Sequence, residues 1–141
     1  MILLDTNVVS ELMRRTPAPT VLEWIAAQPI EQLFLASLTI AEIRRGLALL
    51  PKGARRSSLE SAFTQFLEQG FHQRILPFTR STAEVYAPIY ARRMKAGLGI
   101  GELDLLLAGI ASEHNARIAT RNVTDFEQTG ALVVNPWTDQ P

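Results

Sequence analysis

Short apolar segments alternate with longer amphipathic segments along the whole chain. The short segments are rich in leucine, isoleucine and valine, and polar or turn-forming residues bound each of them, which is typical of buried strands. They predict five strands, at residues 3–4 with their neighbours, 33–36, 74–76, 117–120 and 132–134.

The segments between these strands carry apolar residues at helical spacing. The clearest case is a stripe of four aliphatic residues, Ile40, Ile43, Leu47 and Leu50. Pro19 is well suited to the first turn of a helix. Helices are therefore predicted at residues 6–14 and 19–25, through the four residues of this stripe, and at residues 59–70, 79–95 and 102–114. A glycine-rich connector is predicted at residues 97–101.

Strands that alternate with helices favour an α/β fold, in which a parallel β-sheet of about five strands has helices on both faces. We find no repeat, linker or low-complexity segment, so residues 1–141 are expected to form a single domain. The length of 141 residues is sufficient for one substantial hydrophobic core.

Three acidic residues interrupt apolar or helix-opening segments: Asp5, Glu42 and Asp104. An unpaired carboxylate is costly to bury, so acids in such surroundings need a reason. Asp5 directly follows the first strand, and the other two are predicted near the starts of helices that adjoin strands. Ligands of open parallel sheets bind beyond the carboxyl ends of the strands, so all three acids can face one shared pocket there.

Each acid also has a purely structural explanation. Asp5 can cap the helix that begins at Thr6. Thr39 and Glu42 have the spacing of a capping box, and Asp104 lies where the helix dipole favours an acid. These roles are compatible with function, because a helix N-terminus can direct its acids into a pocket.

Oxygen ligands in a chain without cysteine and with only two histidines, His72 and His114, favour a hard cation. Mg²⁺ fits this donor set better than Zn²⁺, and Mn²⁺ is an alternative. Such an ion, held by carboxylates, polarises a phosphoryl oxygen and activates water at neutral pH. The sequence contains no Walker A lysine, nucleophile elbow or His-Glu-x-x-His motif, so those catalytic classes are excluded.

The net charge is zero, but the charges are distributed unevenly. Residues 44–95 contain ten basic and three acidic residues, whereas both flanking segments are acidic. A metal centre beside a basic surface suits a polyanionic substrate such as RNA. We predict that Arg44, Arg45, Arg92 and Arg93 contact the RNA; the alternative is that they form ordinary solvated helix faces.

Hydrophobic residues make up 47% of the chain and charged residues 20%, as expected of a globular protein. The first apolar run is interrupted at Asp5, well short of a signal-peptide core or a membrane span. We therefore expect a cytoplasmic protein that does not interact with membranes.

The chain resembles PIN-domain ribonucleases, the VapC-type toxins of toxin–antitoxin pairs, and more narrowly their FitB-like branch. The resemblance extends over the whole chain, and the order and spacing of its motifs make it specific. The motifs are the segments 1–11 (MILLDTNVVSE), 39–46 (TIAEIRRG), 74–78 (RILPF), 119–122 (ATRN) and 135–137 (NPW).

This resemblance implies a PIN-like fold and a magnesium-dependent endoribonuclease of a type II toxin–antitoxin system. It also implies a homodimer that a cognate antitoxin neutralises. By position, Asp5, Glu42 and Asp104 match the family's three main catalytic acids: Asp5 and Asp104 would bind the ion directly, and Glu42 would bind it or orient the water.

The family's fourth acidic position falls at Asn122, where many relatives have aspartate, and Asp125 is a candidate substitute. Thr6 and Thr120 match small hydroxyl residues that line the pocket. We expect Asn122 to line the pocket with Asp125 secondary, although either residue can complete it. The alternative function is a non-catalytic acidic-pocket signalling or RNA-binding module with the same fold.

Overall fold

The structure is a computed structural model that describes residues 1–99 and 101–140. Within these residues one sheet contains five strands: β1 (Ile2–Leu4), β2 (Leu33–Ala36), β3 (Ile75–Leu76), β4 (Arg117–Ala119) and β5 (Leu132–Val134). Their order is β3-β2-β1-β4-β5, and every neighbouring pair is parallel. The predicted parallel sheet is therefore confirmed, with β1 at its centre.

Six α-helices connect the strands in the described part of the chain. They are α1 (Thr6–Leu12), α2 (Pro19–Ala26), α3 (Ser37–Ala48), α4 (Ala54–Phe66), α5 (Arg80–Lys95) and α6 (Glu102–Glu113). A π-helical turn, Leu67–Phe71, follows α4, and a 3₁₀ turn, Val123–Phe126, follows β4. Since α3 begins directly after β2, it starts earlier than its apolar stripe indicated.

The helices cover both faces of the sheet, as predicted. Alternate strand residues point to opposite faces, so Leu4 and Leu35 pack on one side with Val8 and Trp24 of α1 and α2. Residues of the opposite face, such as Leu3 and Ile118, pack against α6. The sheet is thus the middle layer between two hydrophobic cores.

The connector between α5 and α6 begins where α5 ends. Gly97 has φ of +68°, a left-handed conformation that glycine adopts without a steric penalty and that commonly ends a helix. Ile100, within the predicted 97–101 connector, lies outside the described residues. None of the described helices combines the length and the hydropathy needed to span a membrane.

Candidate active site

Asp5 lies at the carboxyl end of the central strand and is 5% exposed. It caps α1, because Oδ1 accepts a hydrogen bond from the Thr6 backbone N–H at 2.6 Å. Its other oxygen, Oδ2, accepts hydrogen bonds from Asn7 Nδ2 at 2.7 Å and from Thr120 Oγ1 at 2.7 Å. The capping role predicted from sequence is therefore real, but it occupies only one of the two carboxylate oxygens.

Asn7 connects this carboxylate to the segment after β4. Its Nδ2 also donates to Thr120 Oγ1 at 3.1 Å, and its Oδ1 accepts from the Arg121 backbone N–H at 2.9 Å. Asn7 was not among the site residues predicted from sequence. Its position two residues after a strand-ending acid was the available signal, since an amide there can both donate and accept.

Glu42 projects from the second turn of α3 and is half-buried. Its Oε2 accepts a hydrogen bond from Thr6 Oγ1 at 2.5 Å, and its Oε1 lies 3.9 Å from Arg45 Nη2. The capping-box explanation was wrong: α3 begins at Ser37, and Thr39 is buried inside the helix. Glu42 therefore does not cap α3, and its hydroxyl partner on α1 brings it to the Asp5 side of the sheet.

Asp104 is the third residue of α6, and its carboxylate is folded back over Gly101. Burial raises the pKa of Asp104 to about 6, with smaller upward contributions from the negative charges of Asp5, Asp125 and Glu42, whereas Arg93 lowers it. The three predicted acids thus lie within electrostatic range of one another. Asp125 belongs to the same group.

Burial also raises the pKa of Asp5, and the charge of Glu42 adds to this effect. Hydrogen bonds from Thr120, Thr6 and Asn7 act in the opposite direction because they stabilise the carboxylate. Bringing several like charges together is unfavourable unless protons or a cation compensate them.

The oxygen donors of these residues fit a hard cation, although their side chains do not converge on one position. Among residues 1–99 and 101–140, no three acidic or histidine side chains are grouped closely enough to hold one ion as they stand. The histidines lie next to other acids: His72 is 3.5 Å from Glu68, and His114 is 3.9 Å from Glu113. Carboxylate and hydroxyl oxygens are therefore the donors at this edge of the sheet, as Mg²⁺ prefers.

The two candidates for the fourth position have different surroundings. The Asn122 side chain is exposed, and its backbone N–H donates to Thr120 Oγ1 at 3.0 Å. Asp125 is half-buried in the 3₁₀ turn, and its charge acts on Asp104. Asn122 thus adjoins the pocket through its backbone and Asp125 through its charge, and the expected ranking of the two stays a prediction.

The four predicted RNA-binding arginines have different surroundings. Arg45 and Arg92 are exposed. Arg44 packs over the Phe63 ring and donates to Thr64 Oγ1 at 2.9 Å, so it joins α3 to α4. Arg93 is 5% exposed and bonds to backbone carbonyls. Since a buried guanidinium cannot reach an RNA backbone, we remove Arg93 from the predicted RNA-binding set.

An apolar groove of about 270 Å³ lies between α1 and α3, and Glu42 is among its lining residues. Thr6 and Glu42 form its end nearest Asp5. Its other lining residues are mainly apolar or small: Ser10, Ile43, Gly46, Leu47 and Leu50.

The chain is similar to known proteins over its whole length. The family model described as PIN domain matches residues 2–132. Plasmid stability protein StbB from Pseudomonas syringae pv. tomato is 43% identical, over 97% of this chain and 99% of StbB. VapC ribonuclease Y4jK from Sinorhizobium fredii is 40% identical, over 97% of this chain and 98% of Y4jK.

A solved structure shares the fold in detail. The structure of FitAB bound to an IR36 DNA fragment contains a chain that superposes with a TM-score of 0.91 at 36% identity. The match covers 100% of this chain and 99% of the other.

Proposed function

Since this chain belongs to the PIN-domain family, among its VapC-type toxins, we propose that it is a magnesium-dependent endoribonuclease that acts as the toxin of a type II toxin–antitoxin system. The observation that carries the proposal is the gathering of Asp5, Glu42, Asp104 and Asp125 at the carboxyl edge of the sheet. The name of Y4jK, a VapC ribonuclease, supports RNA as the substrate.

The chain's own residues would position the metal and the reacting groups. Asp5 and Asp104 would bind Mg²⁺, or Mn²⁺ in its place, and Glu42 would bind the ion or orient a water molecule. A bound ion supplies Lewis-acid polarisation of the phosphodiester and activation of the attacking water. Thr6 and Thr120 hold the Glu42 and Asp5 carboxylates by hydrogen bonds, which limits the rotation of these side chains.

Exposed basic side chains would bind the RNA backbone. Arg45 suits this role because it is on the same helix as Glu42 and its side chain is 66% exposed. Arg92 is exposed near the C-terminal end of α5. Their charges would offset the repulsion between a polyanion and the acidic pocket. Arg44 would contribute less, since its guanidinium is already bonded to α4.

We propose a cognate antitoxin as the protein partner, one segment of which occupies the groove between α1 and α3. An arginine of that segment suits the acids at the end of the groove, because its planar donors match carboxylate oxygens. We also propose a homodimer, which the exposed apolar side chains of Tyr90 and Met94 on α5 support. We propose a cytoplasmic location as well, because an RNA substrate would be encountered there.

Cleavage of single-stranded RNA by the purified chain tests the proposed activity. We expect cleavage in Mg²⁺ or Mn²⁺, its loss in excess chelator, and its recovery when the metal is restored. An Asp5→Asn variant, purified in parallel, controls for contaminating nuclease and should be inactive. Cleavage that persists in chelator excludes the metal mechanism, and RNA binding without cleavage under every condition favours the non-catalytic RNA-binding module.

A further inference from the structure

Arg93 is a buried cation in the last turn of α5. Its side chain passes between two segments that are distant in sequence. Nη1 donates to the Glu127 carbonyl oxygen at 2.6 Å, and Nη2 donates to the Gly99 carbonyl oxygen at 2.7 Å. One guanidinium therefore joins the connector before α6 to the end of the 3₁₀ turn after β4.

Both of these segments carry an acid of the candidate site. Gly99 lies five residues before Asp104, and Glu127 lies two residues after Asp125. Gly99 lies three residues before α6, which begins at Glu102 and carries Asp104 in its first turn, so Arg93 binds the chain close to that turn. Glu127 directly follows the 3₁₀ turn that contains Asp125, so Arg93 also binds the chain close to Asp125.

Arginine is suited to this arrangement in a way that lysine is not. Its planar group presents donors in a fixed fork, so two carbonyls in different directions are bound at once. A lysine ammonium has a single nitrogen and no fixed fork. Burying a cation is costly, and the negative charges of the nearby acids offset that cost.

We propose that Arg93 is a positioning residue for the metal site. It holds the segments that carry Asp104 and Asp125 at a fixed separation, so that both carboxylates can bind one cation. The inference rests on the proposed metal-dependent function. It assigns Arg93 no contact with RNA. Groups that orient metal ligands without touching the ion typically contribute 10- to 100-fold in metal affinity.

The test compares Arg93→Lys with Arg74→Lys. Arg74 is a matched control because its guanidinium also joins two backbone carbonyls, those of Leu33 and Gly70. Leu33 begins β2, so the Arg74 hydrogen bonds lie at the amino ends of the strands, whereas the acids lie at the carboxyl ends. Both variants keep the positive charge and lose the fork.

Mn²⁺ affinity, measured by electron paramagnetic resonance titration of the intact chain, is the readout. We expect Arg93→Lys to weaken Mn²⁺ binding by at least about tenfold and Arg74→Lys to leave it within about twofold, even where both lower the melting temperature. Equal Mn²⁺ affinities in the wild type and Arg93→Lys overturn the inference and leave the proposed nuclease intact. A wild type that neither binds Mn²⁺ nor cleaves RNA contradicts both.

Hydrogen exchange of the wild-type protein provides a measurement that does not require the variant to fold. We expect Mg²⁺ to slow amide exchange in peptides from both segments, around residues 97–99 and 125–128, because the guanidinium couples them. Protection confined to one segment contradicts the coupling.

Discussion

At the scale of single residues, two aspartates of one site differ in their hydrogen bonds, although burial raises the pKa of both. Asp5 accepts three hydrogen bonds, from Thr6, Asn7 and Thr120, so an amide in place of its carboxylate would lack an acceptor that the fold uses. Asp104 is half-buried among other acids, so ionisation of this residue opposes folding. The same substitution should therefore have opposite effects on stability at the two positions.

We predict that Asp5→Asn lowers and Asp104→Asn raises the free energy of unfolding of the metal-free protein at pH 7. An asparagine amide at position 5 would face the Asn7 amide with a second donor, at a cost of about 1–2 kcal/mol. Neutralising Asp104 removes the cost of burying its charge and the smaller repulsion from neighbouring acids, together worth about 1 kcal/mol after allowance for solvent screening. Urea unfolding with chelator measures both.

The RNA-cleaving activities of Asp5→Asn and Asp104→Asn should not follow their stabilities. We expect both variants to lose RNA cleavage by several orders of magnitude, because each removes a proposed ligand of the metal. A stabilised Asp104→Asn variant with full activity would exclude Asp104 from the catalytic set.

At the scale of elements, the residue before α6 limits the position that the Asp104 carboxylate can occupy. A methyl group on Gly101 would collide with Asp104 Oδ2, whereas the backbone there, with φ of −82°, is open to any residue. A side chain at position 101 would therefore displace the carboxylate without straining the backbone.

We predict that Gly101→Ala reduces RNA cleavage at least about tenfold, equivalent to roughly 1.4 kcal/mol of barrier. Its free energy of unfolding should change little, since only the end of one side chain has to rotate. Gly70→Ala is the control, because no atom lies within 4 Å of the added Cβ and its φ is not in the left-handed region. Full activity in Gly101→Ala would show that the catalytic position of Asp104 differs from the one over Gly101.

At the scale of the whole molecule, the acids link stability to pH and to metal. Because the pKa of Asp104 is raised from 3.8 to about 6, this side chain binds a proton more readily in the folded protein than in the unfolded chain between these values. The stabilising contribution of the protonated group is complete below about pH 4 and is lost as the pH rises through 6. A bound cation reverses this relation, since it requires the carboxylate.

We predict that metal-free wild type loses stability relative to Asp104→Asn as the pH rises from 4 to 7, and that the two are equally stable at the acidic end. The comparison isolates Asp104, because the shifted pKa values of Asp5, Glu11 and Glu113 are common to both proteins and cancel in the difference. With saturating Mn²⁺ the wild type should instead gain stability over this range. Thermal unfolding at several pH values, with and without Mn²⁺, measures how stability depends on pH in each case.

The sequence by itself determined the element order and the parallel sheet. Leu33–Ala36 and Leu132–Val134 were predicted at their observed bounds, because each strand is a short aliphatic run between polar residues. The sequence also selected Asp5, Glu42 and Asp104, since acids inside apolar segments are costly without a shared role.

Tertiary structure decided how these acids relate to one another and what the arginines do. Arg92 and Arg93 are adjacent and equally charged in sequence, yet one is exposed and the other joins two loops. The exposed Asn122 and the half-buried Asp125 were likewise not separable by spacing. Burial and electrostatic proximity depend on segments far apart in the chain, so local pattern cannot specify them, whereas strand and helix formation depends largely on neighbouring residues.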